Sequence, residues 1–97
     1  MSDIAFIEQL EAIIRGRLEA GDPSSYTVRL AAEGAERMAQ KIGEEGVEVA
    51  LAAVADDDEQ LLGEAADLVY HLLVLLNARK LSLADVASTL EGRHSGG

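Results

Sequence analysis

Two pairs of acidic residues, each with two residues between its members, have a spacing that suits a metal-binding or catalytic site. The first pair is Glu45 and Glu48, and the second is Glu64 and Asp67. This spacing places both members of a pair on one face of a helix. If two helices pack antiparallel around a turn at residues 56–58, Glu48 and Glu64 lie within a few ångströms of the same height. The sequence therefore predicts that four carboxylates converge.

Convergent carboxylates repel one another unless cations neutralise their charges. Ligands that are all oxygen suit a hard divalent ion, and Mg²⁺, with Mn²⁺ as a substitute, is predicted. A di-iron centre would require Glu-x-x-His motifs, and the nearby histidine is instead His71, four residues after Asp67. Divalent ions with open coordination positions suit phosphoryl chemistry. For one isolated glutamate a solvated acidic surface is the ordinary interpretation, but here the second pair interrupts a strongly apolar segment, which favours a metal site.

Other polar residues near these pairs have less certain roles. Lys41 shares the acidic face and is equally suited to a salt bridge or to holding a substrate phosphate. Arg29 and Arg37 are expected to be solvated, although either is long enough to reach a polyphosphate. His71 is interpreted as a hydrogen-bonded core residue, a partner of Asp67 one turn away, in preference to a metal ligand or an acid.

Composition limits the class of protein. The 97 residues suffice for one domain, residues 1–97, and 8 Lys and Arg against 18 Asp and Glu give a net charge of −10. The absence of cysteine excludes disulfides, a thiolate nucleophile and Cys-ligated metals. The acidic balance argues against nucleic acid as a partner, but a divalent metal can reverse the local sign for a small phosphorylated substrate.

The sequence gives little indication of a membrane or a secretory route. Residues 1–20 lack a basic start followed by an apolar segment, so no signal peptide is predicted. The longest apolar stretch, residues 68–76, contains His71 and is far shorter than a membrane span. We expect a cytoplasmic protein without a membrane partner.

Five helices are predicted to position these residues. Ala, Leu and Glu are abundant, there is one proline, and Leu10, Ile14 and Leu18 recur at helical spacing. The predicted helix starts rest on capping residues, which are Ser2 or Asp3, Ser25 or Thr27, Asp57 with Gln60, and Ser82 with Asp85. The predicted elements are residues 4–20, a short helix that ends near Gly34, about 35–55, about 58–79, and a last helix after Ser82, followed by a frayed tail at 94–97.

The second half of the fourth helix, residues 68–76, is apolar on nearly every side. A helix of this kind must be buried on every side, and the few other helices of so short a chain can hardly enclose it. A homodimer that covers one face is therefore predicted. The alternative is that the short helices wrap this segment within one chain.

The sequence resembles the phosphoribosyl-ATP pyrophosphohydrolase family, which carries out the second step of histidine biosynthesis. The resemblance covers about residues 7–93. The acidic residues alone indicate the wider superfamily of MazG-like, all-α nucleoside triphosphate pyrophosphohydrolases, and longer strings narrow it. These strings are Ser25-Tyr26-Thr27, Lys41-x-Gly43-Glu44-Glu45-x-x-Glu48 and Glu64-x-Ala66-Asp67-Leu68-x-Tyr70-His71-Leu72-Leu73.

The resemblance implies a MazG-like helical bundle of four to five helices, completed by dimerisation or a higher oligomer, and dependence on Mg²⁺. It implies hydrolysis of 1-(5-phospho-β-D-ribosyl)-ATP to the AMP derivative and pyrophosphate. The physical interpretation of the acidic residues adds the hypothesis that a metal-activated water attacks the α-phosphorus. The resemblance also implies a stand-alone enzyme with a functional link to phosphoribosyl-AMP cyclohydrolase, which is fused to this enzyme in some organisms. The roles carried over are metal ligands at Glu45, Glu48, Glu64 and Asp67, with Glu44 as a second ligand or a water-orienting base. The physical interpretation adds Glu45 as an alternative water-orienting carboxylate, and Lys41 and Arg37 as candidate substrate contacts.

Two other functions are compatible with parts of the sequence. A house-cleaning enzyme that hydrolyses (deoxy)nucleoside triphosphates would share the metal chemistry and differ in how it recognises base and sugar. A non-catalytic helical interaction module would use the same acids as surface charge. The acids embedded in an apolar helix make the module the least favoured interpretation.

Overall fold

The computed structural model describes residues 3–95, which form five α-helices and no β-strand. The all-α fold class predicted from the sequence is confirmed. The helices, in chain order, are α1 (Ala5–Ala20), α2 (Tyr26–Ala32), α3 (Ala35–Val54), α4 (Asp58–Ala78) and α5 (Leu83–Ser95).

The long helices α3 and α4 form a hairpin, and their mutual contact is the most extensive between any two elements. Only residues 55–57 separate them, so the two helices are antiparallel neighbours. The turn bends at Asp56, which has a positive φ of 59°, a conformation that short polar residues adopt more readily than most. This hairpin carries all of the predicted metal ligands.

α4 is the centre of the fold, since it packs against α1, α2 and α3. The buried apolar side chains are Ile14 of α1, Leu30 of α2, Met38 of α3, and Leu73 and Val74 of α4. The predicted stripe of α1 is confirmed, because its remaining members pack against this cluster. Ala52 of α3 is also buried, whereas the next residue, Ala53, is exposed.

Side-chain caps begin three of the helices. The Ser25 hydroxyl accepts from a backbone N–H of α2, and the Asp57 carboxylate accepts from one of α4. Ser82 and Asp85 form the predicted reciprocal capping pair, in which each side chain accepts from the other's backbone N–H. Thr27, the alternative cap for α2, is instead fully buried.

The two ends of the chain differ slightly from expectation. Asp3 accepts a hydrogen bond from the backbone N–H of Ala5 at 3.1 Å, whereas Ser2, the other cap candidate, lies outside the described residues. α5 continues through Ser95, so His94 and Ser95 are helical and do not belong to a frayed tail. Residues 96–97 of the predicted tail are outside the described range.

Taken by length and composition, α4 is long and apolar enough to cross a membrane. The prediction of too short a span considered only residues 68–76, whereas the whole helix has 21 residues. Central helices of soluble proteins pass the same test, and α4 packs against three other helices. One face of its first half remains uncovered, since Leu62 is 71% exposed.

Candidate active site

The two acidic pairs face each other across the α3–α4 hairpin. Glu45 is buried at 9% exposure, Glu64 is half-buried, and Glu48 and Asp67 are exposed. The hairpin register pairs Glu48 with Glu64 near the turn, as the sequence predicted. We call these four residues the acidic cluster.

Within the acidic cluster, the pKa of Glu64 is shifted. A hydrogen bond with the Glu48 carboxyl, together with partial burial, raises the pKa of Glu64 above the ordinary value for glutamate. The negative charge of Glu48 adds to this increase, and those of Asp67 and Glu45 do so to a smaller extent. All four predicted carboxylates therefore interact, and they repel one another.

The donor set fits a hard divalent cation, because every member of the acidic cluster offers carboxylate oxygens. No group of three or more acidic or histidine side chains among residues 3–95 is arranged as a ready-made metal site. A closed cage of protein ligands is not required for Mg²⁺, which usually keeps several waters and binds substrate phosphates beside one or two carboxylates. The acidic cluster matches that open kind of site.

Glu45 differs from the other three acids because a histidine holds it. Its Oε1 lies 2.7 Å from Nδ1 of His71, which is itself only 8% exposed. The same Nδ1 is 3.0 Å from the backbone carbonyl of Asp67, and Nε2 is 2.9 Å from the hydroxyl of Tyr26. His71 is thus the hydrogen-bonded core residue that the sequence predicted, and its partners include Glu45 as well as Asp67.

A second hydrogen bond joins the same two elements beside His71. The hydroxyl of Thr27 on α2 bonds to the hydroxyl of Tyr70 on α4. The rings of Tyr26 and Tyr70 each meet the His71 ring edge-on, with centroids 5.9 and 5.4 Å away. α2 therefore serves to support α4 behind the acidic cluster.

The remaining predicted site residues are not gathered into the acidic cluster. Glu44 is exposed, it bonds to Gln40 one turn earlier at 3.4 Å, and its charge is not among those that act on Glu64. Around the α3 axis Glu44 is rotated by about 100° from Glu45 and by about 40° from Glu48, and its water-orienting role stays a prediction.

The three basic candidates have different surroundings. Arg37 forms a salt bridge with Glu33 at 3.3 Å. Arg29 donates to the backbone carbonyls of residues 23 and 24, where it stabilises the α1–α2 turn. Lys41 is half-buried on α3, and within residues 3–95 it makes no salt bridge of 4 Å or less. Of the three, only Lys41 keeps its charge unpaired near the acidic residues of α3.

A second buried polar cluster, at the other end of α4, was missed from the sequence. Glu11 of α1 is 8% exposed and accepts from Asn77 at 3.0 Å and from the backbone N–H of Leu83 at 2.8 Å. Arg15 lies 3.7 Å from its other oxygen. A cleft of about 530 Å³ adjoins this region, and none of its lining residues belongs to the acidic cluster.

Sequence reasoning also missed Tyr26 as a partner of His71. The two residues are 45 positions apart, so no spacing rule connects them. The only available signal was the Ser25-Tyr26-Thr27 string in the family resemblance.

Comparison with known proteins identifies the family. The model of the phosphoribosyl-ATP pyrophosphohydrolase family matches residues 7–94, which include the acidic cluster and its supporting residues. The chain belongs to this family. The family and enzyme class predicted from the sequence are thereby confirmed.

Curated relatives of the phosphoribosyl-ATP pyrophosphohydrolase family agree. The chain is 58% identical over 87 residues to the phosphoribosyl-ATP pyrophosphatase of Pyrobaculum arsenaticum, and 55% identical over 87 residues to that of Pyrobaculum calidifontis. In both cases the match covers 90% of this chain and 93% of the relative. It is also 53% identical over 93 residues to the histidine biosynthesis bifunctional protein HisIE of Vibrio cholerae, covering 96% of this chain and 44% of that protein.

Proposed function

We propose that this protein hydrolyses 1-(5-phospho-β-D-ribosyl)-ATP to 1-(5-phospho-β-D-ribosyl)-AMP and pyrophosphate, in the second step of histidine biosynthesis. The observation that carries the proposal is the family match over residues 7–94. The matched residues include the acidic cluster, in which the charges of Glu48, Asp67 and Glu45 act on Glu64. In the reaction a water oxygen forms a bond to the α-phosphorus. The bond from that phosphorus to the bridging oxygen breaks, and pyrophosphate leaves.

Glu45, Glu48, Glu64 and Asp67 are assigned to hold Mg²⁺, for which Mn²⁺ can substitute. When bound, the cation would neutralise the triphosphate and lower the pKa of a coordinated water. A bound cation would also neutralise the carboxylates of the acidic cluster. It would thereby relieve the repulsion that, beside the hydrogen bond with Glu48, raises the pKa of Glu64. The charge of the acidic cluster thus supports a cation-dependent enzyme.

The side chains of the protein orient the reactants around that cation. Glu45, the buried member of the acidic cluster, is assigned to orient the attacking water and to receive its proton. Lys41 is assigned to the leaving pyrophosphate, because its ammonium can act as a point charge on a phosphate oxygen. Arg37 is a weaker candidate for a substrate contact, since it would first have to leave Glu33.

The first experiment compares pyrophosphate release from phosphoribosyl-ATP with release from a panel of ordinary (deoxy)nucleoside triphosphates, in the presence of Mg²⁺. We expect a strong preference for phosphoribosyl-ATP. Comparable turnover of an ordinary triphosphate would instead assign the protein to the house-cleaning enzymes with the same metal chemistry.

Glu48→Gln is the matched blank for this assay, because it removes one charge from the acidic cluster and keeps the size of the side chain. We expect it to abolish turnover and leave the far-ultraviolet circular dichroism spectrum unchanged. A fully active Glu48→Gln enzyme would refute the assignment of the site.

A homodimer is the proposed working state. Val47, Leu51 and Val54 are exposed along one face of α3, at 59%, 63% and 86%, and Leu62 of α4 is 71% exposed. Exposed apolar residues at helical spacing are typical of a helix that packs against a partner. Sedimentation of the wild type and of Leu51→Glu tests the proposal: we expect a dimer and a monomer, respectively.

Two further assignments follow from the proposed reaction. The cytoplasm is the proposed location, since histidine biosynthesis is a metabolic route for soluble small molecules. A functional link to phosphoribosyl-AMP cyclohydrolase is also proposed, with support from the bifunctional HisIE relatives. Mixing the two enzymes and following the product of the second one measures whether the link includes physical association.

A further inference from the structure

We propose that His71, supported by Tyr26, is a positioning residue that fixes Glu45 relative to Asp67. The inference rests on the proposed function of the acidic cluster. It concerns two residues that make no contact with the reacting atoms and act through the Glu45 carboxylate.

The position of one proton follows from the partners of the His71 ring. Nδ1 lies 2.7 Å from Oε1 of Glu45 and 3.0 Å from the backbone carbonyl oxygen of Asp67. A carbonyl oxygen can only accept a hydrogen bond, so Nδ1 carries the hydrogen and donates. This holds whether the ring is neutral or charged, because an imidazolium also has a hydrogen on Nδ1.

The other ring nitrogen is occupied as well. Nε2 lies 2.9 Å from the hydroxyl of Tyr26, which donates to it when the ring is neutral. Both nitrogens of His71 are therefore satisfied, and the two tyrosine rings on either side restrict its rotation. The imidazole is held in one orientation by groups from α2, α3 and α4.

One donor thus connects the two acidic pairs. The Nδ1–H bridges the side chain of Glu45 on α3 and the backbone of Asp67 on α4. It fixes one oxygen of Glu45, and the second oxygen remains for the acidic cluster. Glutamate loses side-chain entropy when it is immobilised, and a carboxylate that is already held does not lose this again when a cation binds.

A purely structural role for His71 makes a different prediction. Tyr70 is its neighbour on α4 and likewise bonds to α2, through Thr27, but the Tyr70 hydroxyl does not contact the acidic cluster. Loss of either hydroxyl, Tyr26 or Tyr70, removes one α2–α4 hydrogen bond. Only the loss of the Tyr26 hydroxyl frees the ring that holds Glu45. Tyr70→Phe is therefore a matched control for Tyr26→Phe.

The decisive variants are His71→Asn and His71→Gln. Asparagine places its amide nitrogen near the Nδ1 position and can still donate to Glu45, whereas glutamine places its amide near Nε2. Mn²⁺ binding to the substrate-free protein, followed by electron paramagnetic resonance, is the first readout. The second is kcat and KM for pyrophosphate release.

We expect His71→Gln to weaken Mn²⁺ binding and lower kcat roughly tenfold to a hundredfold, which is usual for a lost partner of a metal ligand. His71→Asn should stay within about threefold of the wild type on both readouts, because the Nδ1-like donor remains. Tyr26→Phe should fall between these two, and Tyr70→Phe should bind Mn²⁺ like the wild type.

Three results would overturn the inference. One is equal Mn²⁺ affinity in His71→Asn and His71→Gln, and another is equal weakening by Tyr26→Phe and Tyr70→Phe. The third is wild-type Mn²⁺ binding and turnover in His71→Gln. Glu48→Gln separates these results from failure of the proposed site: if Glu48→Gln is inactive, only the positioning role is refuted, and if it is active, the site assignment itself has failed.

Discussion

The two ends of α4 each hold a glutamate away from bulk solvent, and the two glutamates have opposite surroundings. Near the end of α4, Glu11 meets only donors: the Asn77 amide, the backbone N–H of Leu83 and the Arg15 guanidinium. Near the start of α4, the Glu64 carboxyl is hydrogen-bonded to the Glu48 carboxylate, as donor when it is protonated, and faces the negative charges of the rest of the acidic cluster.

The difference is the one expected between a structural acid and an acid of the proposed metal site. Glu11 is neutralised by the protein, and it links α1 to the end of α4 and the start of α5. The acidic cluster keeps a repulsion that no basic side chain among residues 3–95 relieves, which is the arrangement expected of a site that binds a cation. Burial does not identify the acid of the proposed site, because Glu11 is more buried than Glu64.

The largest expected effect compares activity in Glu64→Gln and Glu11→Gln. Loss of one cluster carboxylate should lower kcat/KM by roughly a hundredfold to a thousandfold, equivalent to several kcal/mol of charge stabilisation. Glu11→Gln, measured per folded molecule, should stay within about threefold of the wild type. Steady-state pyrophosphate release measures both. Similar losses in the two variants would remove the distinction between the clusters.

The second prediction concerns the free energy of unfolding, to which Glu11 should contribute more than Glu64. Glu11→Ala removes a buried carboxylate and leaves the Leu83 N–H and the Asn77 amide without their acceptor. We expect a loss of about 3 kcal/mol, or roughly 10–20 °C in Tm. Differential scanning calorimetry measures it, with the exposed Glu19→Ala on the same helix as a control that should change Tm little.

The third prediction concerns repulsion in the cation-free protein. In the presence of a chelator at pH 7, Glu64→Gln should raise Tm, because it removes one of the charges that repel one another. Added Mg²⁺ should raise the Tm of the wild type and have little effect on Glu64→Gln. A lower Tm for Glu64→Gln with chelator would contradict the repulsion argument.

The same variant gives a pH dependence whose sign is fixed by the pKa shift. The pKa of Glu64 is raised in the folded state, so the folded protein binds this proton more tightly than the unfolded chain does. The corresponding stability is fully present below the ordinary glutamate pKa and is lost as the pH rises through the raised value. The Tm advantage of Glu64→Gln over the wild type should therefore shrink as the pH falls from 7 through that raised value, which a pH series of thermal melts checks.

The smallest effect is expected at the turn that begins α4. Asp57 accepts from the backbone N–H of Gln60 at 3.0 Å and caps the helix, yet it is not part of the acidic cluster. Asp57→Ala should cost about 1 kcal/mol of stability, or roughly 4–8 °C in Tm, with kcat unchanged. Asp57→Asn, which keeps a capping oxygen, should recover most of the stability. If both variants lost kcat, Asp57 would have to be counted as a member of the acidic cluster, contrary to this prediction.

The sequence alone determined the helices, the hairpin register and the convergence of the acidic cluster. These features depend on local rules: apolar residues at helical spacing, the caps at Asp57 and Ser82, and a turn too short for anything except antiparallel neighbours. With the family strings, the same local information also identified the enzyme class, which the match over residues 7–94 confirms.

Only the tertiary structure decided what surrounds each polar side chain. It joined His71 to Glu45 across 26 positions and to Tyr26 across 45 positions. It likewise made Glu11 a buried structural acid through a backbone N–H 72 positions away. These contacts depend on how whole helices are oriented against one another, and the free energy that sets those orientations comes from burial of the apolar core, which no pair of residues encodes by its spacing.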